Sequence, residues 1–144
     1  MNTGLLHLHN LLRWVILITL LISIYKLFVK QDALKFTKIL LIASHTTLLL
    51  GIYQYFTGAV GFQLIKTSGM AVVMKDAASR FWAVEHIFSM VLAITLITIG
   101  HIRYKKTQKS GASLILLVIA LLLILLAMPW PFKVGVGRPW FPGM

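Results

Sequence analysis

Apolar residues in this chain come in long runs rather than as a stripe on otherwise polar elements. The runs cover about residues 4–28, 36–57, 79–102 and 112–130. Each approaches or exceeds the roughly 20 residues that span a hydrocarbon core of about 30 Å. The pattern predicts four transmembrane helices and little else, so the expected fold is an all-α, antiparallel four-helix membrane bundle forming one domain over 1–144.

The connections are unequal. A tight basic turn around Gln31-Asp32 joins the first two helices, and the segment from Lys105 to Gly111 joins the last two. Short connections favour antiparallel neighbours. The middle connection, Gly58 to Ser79, is longer; its piece Phe62-Gln63-Leu64-Ile65 suits an interface, and Asp76 suits the N-cap of the third helix. The tail from Pro129-Trp130-Pro131-Phe132 to Pro139-Trp140-Phe141-Pro142 cannot be a regular helix, because proline has no amide donor and clashes with the preceding turn. Its aromatic residues suit the headgroup layer, as an outer anchor or lid.

Composition agrees with the pattern. At 59% apolar and a mean hydropathy of +0.90, there is too little polar surface for a soluble globule. The first run carries Arg13 and lacks a basic leader segment, so it reads as a retained helix rather than a signal peptide. The formal charge of +11 sits beside helix ends and not on one solvated face, which points to topology and not to nucleic acid. Lys26, Lys30, Lys35, Lys38, Arg103, Lys105, Lys106 and Lys109 lie at one set of ends, and Arg13, Lys66, Lys75, Arg80, Lys133 and Arg138 at the other. Eight against six places both termini outside.

The absence of cysteine removes disulfides, thiolate metal sites and covalent haem attachment. Candidate chemistry therefore falls on histidine. His9 in the first run and His86 in the third lie at similar depth, on the order of 10 Å inside the outer boundary, while His45 lies deeper. His86 and His101 are fifteen positions apart, about 60° from register at roughly 100° per residue, so one helix presents imidazoles toward both surfaces. Glu85 beside His86 is a second ionisable group in hydrocarbon, where such groups are expensive; Arg13 and Arg80 are its candidate ion-pair partners. Imidazoles without thiolates in a helical bundle suit a b-type haem, with His86 and either His45 or His9 as axial ligands and Arg13 on a propionate. Gly51 and Gly100 would let a flat ring approach the backbone. Plainer readings apply to His7 and His101 as interfacial side chains, to Met90 and Met128 as packing, and to the Trp and Tyr residues as a belt.

The segments His9-Asn10-Leu11-Leu12-Arg13-Trp14, His45 with Gly51 and Tyr53, Arg80-Phe81 with Val84-Glu85-His86, Met90 and Gly100, and Pro129-Trp130-Pro131-Phe132 resemble a family of small four-helix membrane proteins of Bacteroidota known as cytochrome b or cytochrome b-like. The resemblance implies haem b and a multi-pass place in the bacterial inner membrane. The chain is also loosely similar to the small four-helix protoporphyrinogen oxidases, but has Glu85-His86 where a lysine-bearing helix is expected. Three functional classes remain open. The first is a b-type cytochrome passing electrons from a membrane quinol to a redox partner. The second is a haem or porphyrin enzyme, or a non-haem metal site of His9, His45, His86 and Glu85. The third is an accessory subunit of a larger membrane complex or a homo-oligomer.

Overall fold

A computed structural model describes residues 3–143; positions 1, 2 and 144 of the expected domain lie outside the described residues. These form helices and turns, with no strand among them. In chain order the helices are α1 (Thr3–Phe28), α2 (Leu34–Thr57), α3 (Phe62–Ser68), α4 (Met70–Lys75), α5 (Ala77–Arg80), a π-helical turn (Phe81–Glu85), α6 (His86–Thr107) and α7 (Gly111–Ala127). Three helical stretches, Thr3–Phe28, Leu34–Ser68 with its break at 58–61, and Ala77–Thr107, are long and apolar enough to cross a membrane, and Gly111–Ala127 is a shorter apolar helix.

Local chemistry sets the ends. α1 stops where Lys30 takes a left-handed conformation, φ 57°. The amide of Gln31 then donates to the Lys26 carbonyl at 2.8 Å and that of Lys30 to Leu27 at 3.2 Å, the two bonds of a Schellman cap. α6 ends likewise at a left-handed residue, Gln108, φ 55°, beyond the expected limit at 102, with the Gln108 amide donating to the Tyr104 carbonyl at 2.9 Å. α7 stops before Pro129, with Met128 extended as a residue preceding proline must be. The middle connection is more ordered than its composition suggests, since α3, α4 and α5 occupy most of it. Asp76 caps α5 as expected, accepting from the Ser79 amide at 2.8 Å.

The long helices pack in a closed ring of contacts: α1 on α2 and α7, and α6 on α7 and α2. Leu20, Leu27, Leu40, Ile97 and Leu117 fill the centre, beside the small residues Ser23, Ser44, Ala93 and Ala120. Ser23 donates to the Thr19 carbonyl at 2.6 Å, Ser44 to Leu40 at 2.7 Å and Thr47 to Ala43 at 2.8 Å. Each hydroxyl is therefore satisfied within its own helix, and its small volume lets neighbours close up. Large apolar side chains meanwhile face outward, among them Ile18, Leu49, Phe88, Ile115 and Leu126. That distribution is unstable in water and natural in lipid.

The Ser79 hydroxyl and amide both donate to Asp76 and hold its carboxyl below the usual aspartate range. A lowered folded value stabilises the native state fully above the unfolded pKa of about 3.9, and the effect is lost as pH falls through the lowered value. Asp76→Ala is expected to lower the melting temperature in detergent at neutral pH, Asp76→Ser to restore most of it, and the gap to wild type to close as the pH is taken below that range.

Candidate functional site

The first half of α1, the second half of α2 and the first half of α6 line a cavity of about 340 Å³, toward the small end of the range for ligand sites. His9 enters from α1, and its Cε1 lies against Gly51 of α2: a Cβ on Gly51 would sit 3.3 Å from it. A side chain at position 51 would press on the imidazole and make it give by a few tenths of an ångström. His9 Nδ1 is buried without a hydrogen-bond partner.

His86 enters from the opposite side. It is placed by the π-helical turn, in which its own amide bonds five residues back to the Phe81 carbonyl. That turn carries one more residue than an α-helical turn and rotates the downstream helix by about 100°. The His86 Nδ1–H donates to the Ala127 carbonyl at 2.8 Å, because a carbonyl can only accept. In the neutral ring this leaves a lone pair on Nε2. Phe81 and Trp82 lie with ring centroids 5.7 Å from the imidazole.

Arg13 lies one helical turn beyond His9 and is 8% exposed. Its Nη2 donates to the carbonyls of Pro139 at 3.0 Å and Trp140 at 2.8 Å, so the tail is folded back onto α1. Asn10 Nδ2 reaches Pro139 at 3.3 Å and Trp14 Nε1 reaches Trp140 at 2.8 Å, with the Trp14 ring stacked on Trp140 and Phe141. Arg138 lies over the Trp82 ring at 5.0 Å. The tail thus forms one wall of the cavity, through Pro129, Arg138, Pro139, Pro142 and Gly143. Arg13 Nε and Nη1 and Gln54 Nε2 are buried without partners. All three, like His9 Nδ1, belong to residues lining the cavity.

The other expected site residues lie elsewhere. His45 is on the exposed face of α2, with its Nδ1–H donating to its own helix at Leu41, 2.9 Å; the structure does not bring it to the cavity. His101 is buried toward the far end of α6 and bonds Thr37 Oγ1 at 2.9 Å. Thr37 itself donates to Leu34, so the imidazole is the donor there. Glu85 is turned outward and pairs with Arg80, Nε to Oε1 at 2.7 Å; the five-residue spacing is that of the π-turn hydrogen bond. His7 is exposed at the cavity rim and Met90 contributes to the wall. Among the described residues no three His, Asp or Glu side chains converge as an ion site, so His9, His45, His86 and Glu85 are not assembled as a set. Gln54, Arg138 and the tail carbonyls were not singled out from the sequence. An amide within an apolar run was the available signal for Gln54, whereas carbonyl partners carry no sequence signal.

No family model, curated protein or solved structure matches the chain.

The Arg80–Glu85 pair is partly exposed, 35% and 47%, and exposed pairs contribute about 0–1 kcal/mol. Glu85→Gln is expected to change stability within that range by thermal unfolding in detergent and to leave ligand binding intact.

Proposed function

We propose that the protein is a b-type cytochrome of the bacterial inner membrane: an antiparallel four-helix bundle with both termini outside, holding one haem b between His9 and His86 and passing electrons from a membrane quinol to a redox partner. The observation that carries this reading is the pair of imidazoles facing one apolar cavity from different helices. Each keeps one nitrogen free: Nδ1 of His9, buried and unpartnered, and Nε2 of His86, opposite its bond to Ala127.

The residues present fit such a group. An axial histidine is oriented by the hydrogen bond its other nitrogen makes, as His86 is by Ala127. Gly51 leaves room for the His9 ring, while Trp82, Met90, Ile94 and Ile124 give the cavity apolar walls. Haem b supplies reversible one-electron chemistry when bound. The protein's part is to hold two imidazoles and keep the ring dry. His45 is outside this arrangement, which supports taking His9 as the second axial ligand.

His45 favours an addition to this reading. An exposed imidazole halfway along a lipid-facing helix is costly, and it is relieved where another membrane subunit covers that face.

The detergent-purified protein, reconstituted with haem and reduced with dithionite, is expected to show the sharp bands of six-coordinate haem b. His9→Ala and His86→Ala should each abolish that spectrum, and His45→Ala should leave it unchanged. A colourless wild type after haem addition overturns the cytochrome reading, and a spectrum indifferent to both variants overturns the ligand assignment.

A further inference from the structure

The Arg13 guanidinium lies over the Trp14 ring at 5.2 Å, a cation–π contact that offsets part of its charge, but no acidic side chain among the described residues pairs with it. The chain has three acidic residues, and each is committed elsewhere. Asp32 Oδ1 accepts from the Leu34 amide at 3.0 Å, Asp76 accepts from Ser79, and Glu85 pairs with Arg80. The tail carbonyls give Nη2 of Arg13 two acceptors but no charge, and Nε and Nη1 are left buried and bare on a residue that lines the cavity. A buried cation without a counter-charge is strongly unfavourable, and guanidinium is the side chain best matched to carboxylate.

We infer that the cavity takes a ligand bearing a free carboxylate, which accepts from the bare N–H groups of Arg13, and that Arg13 thereby couples this ligand to the tail it holds through Nη2. The unpartnered amide of Gln54 is a second donor on the same cavity. The rest of the lining is predominantly apolar, from Ile16, Leu48, Ile87 and Ile94 to Ile124 and Met128. The ligand is therefore an amphiphile whose acid group is its polar end. The inference rests on the haem reading only for the source of the carboxylate. A porphyrin propionate and a fatty-acid head offer the same chemistry to Arg13.

The test compares haem b with its dimethyl ester on the full-length wild-type protein, with sodium laurate titrated separately. The ester keeps the ring and iron and lacks the charge. Binding is followed by absorbance or by displacement, and tail closure by trypsin cleavage after Lys133, which precedes Val134. The free acid is expected to bind on the order of ten-fold more tightly than the ester and to protect the tail, which the ester does not. Arg13→Gln should erase the acid–ester difference, and Arg13→Lys should keep part of it. Equal binding and equal protection by acid and ester in the wild type overturn the inference while leaving the haem reading intact. A persistent acid preference in Arg13→Gln also overturns it, since the acid then sits elsewhere. Arg13-dependent binding of laurate without binding of either haem form upholds the inference and removes the cytochrome. Failure of all three ligands to bind removes both.

Discussion

With 8% of its surface exposed and no acid beside it, Arg13 must have oxygen atoms brought to it, because hydrocarbon offers no hydrogen bonds and lipid-buried polar groups have to be satisfied internally. The tail brings two of them. Pro139 and Trp140 reach Nη2 only if the chain turns back after α7, and the prolines that end that helix make the reversal easy. Trp14 and Asn10 then fasten the same two residues. One guanidinium thus accounts for the position of a segment with no regular structure of its own, and that segment in turn walls the cavity.

Elsewhere the same constraint is met more quietly. Ser23, Ser44 and Thr47 return their hydrogens to carbonyls one turn back, so those hydroxyls ask nothing of the neighbouring helices. The helices close on one another through small residues while Ile, Leu and Phe turn outward. Such a molecule has no hydrophobic reason to hold together once lipid surrounds it, and its cohesion comes from close packing and a few polar ties. The hydrogen bonds that link Tyr104 to the turn between α1 and α2, at Ala33 and Asp32, are ties of that kind at the end remote from the cavity.

The long apolar runs made the principal helices legible, and proline, Asp76 and the basic ends marked several limits. Depth was also legible: counting about 1.5 Å per residue put His9 and His86 level, and they share a cavity. Rotation was not. His45 looked as favourable as His9 by depth alone, yet it lies on the outer face of α2. Runs made almost wholly of apolar residues carry no amphipathic stripe to show which side is inward. The distribution of ties was hidden for a related reason, since Arg13, Trp14 and His86 bond to backbone carbonyls, which every residue possesses. Glu85 seemed a buried acid because the third run was read as one uniform α-helix, and the π-turn swings it out to Arg80.

That turn has an evolutionary meaning. A single wide turn holds one residue more than an α-helical turn while the helix on either side stays regular, so adding one residue to a regular helix is a simple way to make it. Among related sequences, a one-position gap between Arg80 and His86 would therefore record the birth of the bulge rather than noise in the alignment. Chains that carry the added residue would aim their imidazole into the cavity, and those that lack it would turn the equivalent residue toward a neighbouring face.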